Sequence, residues 1–453
     1  MNLPAEIFRA YDIRGVVGKT LTPAVMHAIG QALGTLGIER GAPTFALGRD
    51  GRISGEELER ALGDGINAAG AHVIEIGMVP TPVAYFAAQH LGCESAAMVT
   101  GSHNPADYNG VKMVIGGNTL SGDEIQELRR RIERSGLARG AGKRTHAELL
   151  DAYVGRITGD VRLARRFRIA IDCGNGVAGA VAPRLYRSLG CEVTELYCEV
   201  DGRFPNHHPD PSQPKNLATL IETLRAGDAE IGLAFDGDGD RLGVIDERGE
   251  RHEAEFFFAL LALAVLREHP KARIIQDVKA SEPVIHYLKE HGADHELWKT
   301  GHSLIKVRMR EEQAPLAGEA SGHIFYQENF YSDDALFAAC KLLTYLSQSD
   351  EPLSAHIARI PHWHTSPEIR VPCPDDRKWD VVEAVANELG ANYPALQIDG
   401  IRAPYPAKDR WALVRASNTG PNLTLRFEAK TKEGLEAIEA EVMGILRKHL
   451  DVS

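Results

Sequence analysis

The sequence predicts an α/β protein with three similar mixed-sheet domains in tandem, followed by a smaller α+β domain. Two observations carry this. First, a short apolar strand that runs into a glycine-rich or charged turn, and then into a helix, recurs with starts at residues 44, 168 and 273. Strands alternating with helices imply parallel or mixed sheets, and regular recurrence implies repeated domains. Second, the C-terminal segment breaks the pattern and reads strand, strand, helix.

In order along the chain, Thr44-Phe-Ala-Leu47 leads into Gly48-Arg-Asp-Gly-Arg52, and Ser54 with Glu57 predicts a capping box on the helix that follows. Ala96 to Thr100 reads as a strand that stops at Gly101-Ser-His-Asn-Pro105, because Asn-Pro halts regular structure and Gly permits a tight turn. Asn109-Gly110 predicts another turn, with Lys112 on the strand Val111 to Ile115. Arg168 to Ile171 leads into Asp172-Cys-Gly-Asn-Gly176, and Ile231 to Phe235 and Leu242 to Ile245 read as buried strands. Phe256 to Leu266 is too short to span a membrane and reads as a core helix. Arg273 to Gln276 leads into Asp277-Val-Lys279 and a helix over Ser281 to His291. Beyond His362-Trp-His364, Trp379 to Leu389 and Glu433 to Leu450 read as helices, and Leu413 to Arg415 and Leu423 to Phe427 as strands. The expected domains are 1–150, 151–250, 251–365 and 366–453.

A length of 453 residues suits three or four domains, and 43% hydrophobic residues suffice for substantial cores. The net charge of −12 argues against a nucleic-acid partner or a polybasic membrane anchor. An anionic ligand would need a local positive site. The six cysteines form no CxxC pair and read as free thiols of a reducing compartment. The first residues, Met1 to Glu6, show no signal-peptide pattern. A cytoplasmic monomer is the expectation.

Asp236-Gly-Asp-Gly-Asp240 is the most informative stretch. Three carboxylates this close repel one another unless a cation sits between them. All-oxygen ligation suits Mg²⁺ or Ca²⁺. A plain acidic turn is one alternative. Another is an EF-hand, since Asp236, Asp238, Asp240 and Glu247 fall on its ligand positions, but Arg241 stands where that loop needs Gly and the flanks read as strands. Ser102, displayed at a strand end, is a nucleophile candidate.

Five stretches in order resemble the α-D-phosphohexomutases, most closely the phosphomannomutase/phosphoglucomutase branch. They are Phe8-Arg-Ala-Tyr-Asp-Ile-Arg-Gly15; Thr100-Gly-Ser-His-Asn-Pro105 with Tyr108-Asn-Gly110 and Lys112; Asp236 to Arg241; Gly318-Glu-Ala-Ser-Gly-His323; and Arg415-Ala-Ser-Asn-Thr-Gly-Pro421. The resemblance implies four domains around a central cleft and a reversible shift of phosphate between O1 and O6 of a glucose or mannose phosphate. It implies Mg²⁺, and a hexose 1,6-bisphosphate as intermediate and activator.

By the same resemblance Ser102 carries the phosphate and, with Asp236, Asp238 and Asp240, holds the metal. Arg14, Lys112 and His323 are candidates for proton transfer, Arg241 for substrate binding or loop anchoring, and His103 for supporting the serine. Tyr11 shapes the cleft. Glu319 and Ser321 grip sugar hydroxyls, Lys279 and His302 touch substrate, and Arg415, Ser417, Asn418 and Thr419 bind phosphate. The His207-His208 pair reads as part of a structured loop. A phosphoglucosamine mutase is the runner-up within the family. A metal-dependent sugar phosphatase and a non-catalytic calcium-binding protein are the readings from other classes.

Overall fold

The computed structural model describes residues 3–391, 393, 395–405, 409–417 and 420–450. One sheet pattern appears three times. In the first domain the parallel strands His72–Met78, Thr44–Arg49 and Ser95–Val99 lie side by side, and Tyr108–Ile115 adds antiparallel to the last. The second repeats this with Glu192–Leu196, Arg168–Asp172, Ile231–Phe235 and antiparallel Leu242–Asp246. The third uses Asp294–Trp298, Arg273–Asp277, Leu316–Gly318 and antiparallel Ile324–Tyr326. Ser95–Val99 and Ile231–Phe235 are buried along their whole length. Helices on both sheet faces account for the unbroken apolar runs of such strands.

The fourth unit is an antiparallel sheet in which Asn422–Ala429 pairs with Arg410–Ala416, Ile369–Pro372 and His364–Thr365, and Ile401–Pro404 pairs with Arg410–Ala416. The helices Lys378–Gly390 and Lys432–Leu446 pack on it. One apolar cluster runs through the first three domains, from Ala46 and Met98 through Ile169 and Leu233 to Ile274 and Leu316. The fourth domain has a separate core around Val385, Leu425 and Val442. Among the described residues no helix is long and apolar enough to cross a membrane.

Three local expectations need correction. Ser54 precedes the helix Gly55–Ala69 but makes no capping bond; its hydroxyl instead accepts from Asn109 Nδ2 at 2.9 Å. Asn109-Gly110 is not a turn and lies inside the strand Tyr108–Ile115. Gly110 is there for closeness, since a Cβ would lie 2.0 Å from the Ile13 carbonyl oxygen of the paired strand. The final helix stops at Leu446, short of Leu450.

Candidate active site

The same connection in each repeat, from the third parallel strand to its antiparallel neighbour, carries one chemically loaded loop. It holds Ser102 in the first domain, Asp236 to Arg241 in the second and Glu319 to His323 in the third. Because the repeats pack together, the three loops converge. Gly237 faces the serine loop so closely that a Cβ would lie 2.4 Å from the Ser102 carbonyl oxygen. Gly239 takes φ 77°, a left-handed conformation glycine adopts without strain. Leu242 N donates to the Gly322 carbonyl at 3.1 Å, tying the acidic loop to the third domain.

Ser102 is 1% exposed, and its hydroxyl donates to Asp236 Oδ2 at 2.9 Å, with His103 Nδ1 at 3.2 Å. It sits at φ 48°, a conformation that costs a residue with a side chain about 1–3 kcal/mol and persists only where the surroundings enforce it. Arg52 enforces it. Its guanidinium donates to the carbonyls of Ser102 (2.8 Å), Asn104 (2.6 Å), Pro105 (2.5 Å) and Tyr108 (3.0 Å). Asp50 completes the scaffold, accepting from Gly101 N at 3.1 Å, Thr100 Oγ1 at 2.8 Å and Arg52 Nε at 3.2 Å.

Asp236, Asp238 and Asp240 are fully buried, and one oxygen of each lies within 4.8 Å of the others. Asp236 Oδ1 accepts the backbone N–H groups of Gly239, Asp240 and Arg241. Thr81 Oγ1 donates to Asp238 Oδ2 at 2.5 Å. Oδ1 of Asp238 and of Asp240 have no hydrogen-bond partner. Three converging buried carboxylates, two of them with an oxygen that no hydrogen bond satisfies, fit a hard divalent cation. The Lys112 ammonium reaches Asp238 at 2.7 Å and also Asp240, offsetting part of their charge. Burial, with Asp240 and Asp238 adjacent, pushes Asp236 well above the usual carboxylate range. For Asp238 burial pulls upward, but Lys112 together with the Thr81 hydroxyl and Asp236 holds the carboxyl low. Glu247 accepts from Ser354 Oγ rather than turning to this triad, which removes the twelfth ligand of a calcium loop.

A second buried chain backs the acidic loop. Arg241 Nε donates to His323 Nε2 at 2.9 Å, His323 Nδ1 faces Asp333 Oδ2 at 3.0 Å, and Asp333 pairs with Lys306 at 2.5 Å. Arg14 bonds Asn104 Oδ1 at 2.6 Å and pairs with Asp12. Burial, with Arg241 and Arg14 nearby, pushes His103 well below the ordinary histidine range, and burial with Lys306 does the same to His302.

In the third-domain loop the Glu319 carboxylate accepts from Gly301 N at 3.2 Å and from Ser321 Oγ at 3.1 Å. Asp277, at the end of the first strand of its repeat, holds this loop through Ala320 N at 3.2 Å and holds Thr300 Oγ1 at 2.9 Å. Lys279 lies 3.6 Å from Asp277 and 3.8 Å from Glu368. Neither ring nitrogen of His302 has a hydrogen-bond partner, and the ring meets Tyr11 edge-on with centroids 6.0 Å apart.

From the fourth domain, Arg415 Nε donates to Asp399 Oδ2 at 2.9 Å, and the same oxygen accepts from Thr300 N at 3.1 Å. Asp399 thus ties Arg415 to the segment that carries His302. Ser417 follows, its carbonyl accepting from Lys378 Nζ at 2.6 Å. Asn418 and Thr419 lie outside the described residues. His207 pairs with Asp172 at 3.0 Å while His208 bonds the His103 carbonyl, so the two histidines serve different partners.

Asp50, Arg52, Thr81, Lys306, Asp333 and Asp399 were not among the residues expected from sequence. Asp50 and Arg52 stand in the turn after the strand Thr44–Arg49, and their charge in that glycine-rich stretch is the signal that marks them. Lys306 and Asp333 stand in no motif.

Four families match in order: phosphoglucomutase/phosphomannomutase alpha/beta/alpha domains I, II and III over residues 5–139, 151–249 and 254–363, and the C-terminal domain over 368–445. The chain is 48% identical to a phosphomannomutase/phosphoglucomutase of Pseudomonas aeruginosa, covering 97% of this chain and 95% of that one. It is 46% identical to a phosphoglucomutase of Neisseria meningitidis, covering 99% and 98%. A solved phosphoglucomutase/phosphomannomutase family protein from Burkholderia thailandensis superposes with a TM-score of 0.91 at 43% identity, covering 98% and 97%. The chain belongs to the phosphoglucomutase/phosphomannomutase family and is a phosphohexomutase, an enzyme of carbohydrate metabolism.

Proposed function

We propose that this phosphohexomutase moves phosphate reversibly between O1 and O6 of glucose phosphate, mannose phosphate or both, through a phosphorylated Ser102 and a hexose 1,6-bisphosphate. The observation that carries the reading is the Ser102 hydroxyl donated to Asp236 at 2.9 Å, inside a buried site shared by two domains.

Phosphoryl transfer asks a protein mainly for positioning and charge neutralisation. A phosphate on Ser102 adds roughly two negative charges beside the acidic loop. Asp236, Asp238 and Asp240 would hold Mg²⁺ there. When bound, the ion supplies positive charge to the phosphate oxygens and polarises phosphorus. Arg52 and Asp50 keep the serine at the loop apex, so the phosphorus presents the same face in each turnover.

In the forward half-reaction the sugar hydroxyl oxygen bonds to phosphorus, the bond from phosphorus to Ser102 Oγ breaks, and the hydroxyl proton passes to a nearby base. Arg14, Lys112 and His323 remain the candidates. His323 has its Nε2 bonded to Arg241 and its Nδ1 facing Asp333, which suits a group that orients Arg241. Lys112, between Asp238 and Asp240 and on the strand leaving the serine loop, suits steadying the transferring oxygens. The bisphosphate turns over in the cleft, and Ser102 takes back the phosphate from the other end.

One phosphate-binding site must then accept either end of the sugar. Arg415 and Ser417, with Asn418 and Thr419, supply planar guanidinium, hydroxyl and amide donors for it. Glu319 and Ser321 supply an acceptor and a donor for two sugar hydroxyls, and Lys279 and His302 line the path between.

A time course by NMR with Mg²⁺ and a trace of hexose bisphosphate tests the reading. Glucose 1-phosphate or mannose 1-phosphate is expected to give the 6-phosphate. Conversion of glucosamine 1-phosphate alone would move the assignment to a phosphoglucosamine mutase. Release of inorganic phosphate without isomerisation would make the enzyme a phosphatase.

A further inference from the structure

We propose that Cys173 and Cys198 are a dithiol that closes into an internal disulfide, a modification site that displaces the acidic loop of the second domain and switches turnover off. All six cysteines are free thiols. These two follow the ends of neighbouring parallel strands, Arg168–Asp172 and Glu192–Leu196, where Asp172 pairs with Leu196. The Cys198 thiol donates to Cys173 Sγ at 3.6 Å. A disulfide needs about 2.05 Å between the sulfurs, so the pair has to close by about 1.5 Å.

Access differs between the two. Cys173 is buried and Cys198 is half-buried. The neighbouring Cys198 thiol and burial together hold the Cys173 thiol well above its ordinary range. Cys198 is therefore the entry point. The oxidant is a low-molecular-weight disulfide. The Cys198 thiolate attacks one of its sulfurs, forming a mixed disulfide and releasing one thiol. Cys173 then attacks the Cys198 sulfur, the bond from that sulfur to the small thiol breaks, and the departing thiolate takes the Cys173 proton, so the internal bond forms and the second thiol is released. Two protein thiols are oxidised to one disulfide, and one small disulfide is reduced to two thiols.

The consequence follows from what Cys173 supports. Its loop, Asp172 to Gly176, lies against the acidic loop: a Cβ on Gly176 would lie 2.9 Å from Gly237 Cα, and Val177 N donates to the Gly237 carbonyl at 3.1 Å. Gly237 separates Asp236 from Asp238 and itself abuts Ser102. On the other side Asn175 fastens the loop to the Cys198 segment, its N to the Tyr197 carbonyl and its Nδ2 to the Glu199 carbonyl, both at 2.8 Å. With the Cys198 side fastened in this way, closing the sulfur gap draws Cys173, and with it the seat of Gly237. In the loops at the same topological position, Asp50 and Asp277 hold the serine and sugar loops, so all three repeats use this position as a foundation.

The test exposes the full-length protein to oxidised glutathione, then maps disulfides by mass spectrometry and follows turnover. The expected result is a Cys173–Cys198 peptide pair, an intact mass lower by two hydrogen atoms, and turnover reduced by about tenfold or more, since a misplacement of about 1 Å near the chemistry can cost about 100-fold. Dithiothreitol is expected to restore both. Cys198→Ser and Cys173→Ser should retain turnover when reduced and lose the response, whereas Cys93→Ser should respond as the parent does. Glutathione held on Cys198 with no internal bond would overturn the proposal. So would the internal bond with unchanged turnover, or a response that depends on Cys93. If a serine variant does not fold, Cys198→Ala and the mapping on the parent protein still decide the bond, independently of which sugar phosphate is the substrate.

Discussion

The seam joining the first three domains and the seam joining the third to the fourth are built by different physics. At the first, one apolar cluster passes through all three domains, and the serine loop and acidic loop meet above it with Ser102 and the three Asp side chains essentially inaccessible to water. At the second, the shared apolar contact is small, centred on Val278, Trp411 and Leu413. The rest is polar. Glu428 accepts from Ser281 Oγ at 2.6 Å, Glu282 N at 2.9 Å and Trp411 Nε1 at 2.5 Å. Arg402 donates to the carbonyls of Val278 at 2.7 Å and Ala280 at 2.8 Å, and Arg426 pairs with Glu255 at 2.8 Å. Non-directional burial fixes how the serine loop meets the acidic loop, whereas a few directional contacts hold the domain with Arg415. An interface of the second kind suits a domain that shifts as substrate enters and leaves.

Four substitutions probe the difference between the seams, in order of their expected effect on turnover. Ser102→Ala removes the proposed phosphate carrier from the rigid seam, and turnover should fall by at least about 10⁴-fold, the scale of losing a covalent nucleophile. Intact-mass measurement should also find no phosphate adduct. Parent-like rates in this variant would sink the assignment. Arg52→Lys keeps the charge but not the planar fork that gathers four carbonyls. The expected outcome is kcat down by about 10- to 100-fold with KM little changed; an unaltered kcat would show that the serine loop holds itself.

At the polar seam, Glu428→Gln replaces one acceptor oxygen by a donor. KM for the sugar phosphate should rise by up to about tenfold, on the scale of one lost charge-assisted hydrogen bond, and amide exchange over 366–450 should quicken while exchange around Ser102 stays the same. Equal quickening in both places would erase the distinction between the seams.

The last substitution probes the polar group inside the rigid seam. Asp334 caps the helix Ala335–Leu346 and accepts from Tyr153 Oη at 2.8 Å. Burial pushes its carboxyl up to about 6, against the N–H of Phe337 and the Tyr153 hydroxyl, which pull it down. A folded-state value above the unfolded one favours the folded protein at low pH. That contribution is complete below about pH 4 and lost as pH rises through about 6, by up to about 3 kcal/mol. Asp334→Asn should flatten the dependence of melting temperature on pH across this window with little change in turnover. A parent protein that shows no such slope contradicts the account.

The repeat and its loops were legible because they are local. Apolar strand, turn and helix succeed one another within a few tens of residues, and Asp236 to Asp240 announces its chemistry within five. What was not legible depends on contacts between residues far apart in the chain. Arg52 reaches Ser102, Thr81 reaches Asp238 and Lys112 reaches Asp240 only because the sheets stack as they do. Ser54 lost its expected capping role to Asn109, a partner 55 residues away, and Asn109-Gly110 lost its expected turn to strand pairing with Gly15 and Arg14. Local turn chemistry yielded in both cases to tertiary pairing. Lys306 and Asp333 gave no sign because a lone Lys on a helix usually points to water.

Under the proposed mechanism Ser102 and the acidic loop form one site although they belong to different domains. The decisive measurement is a calorimetric titration of Mg²⁺ into the protein before and after phosphorylation of Ser102. Tighter binding to the phosphorylated form is expected, because the phosphate would complete the set of oxygen ligands begun by Asp236, Asp238 and Asp240. Equal affinity for the two forms would contradict a shared site.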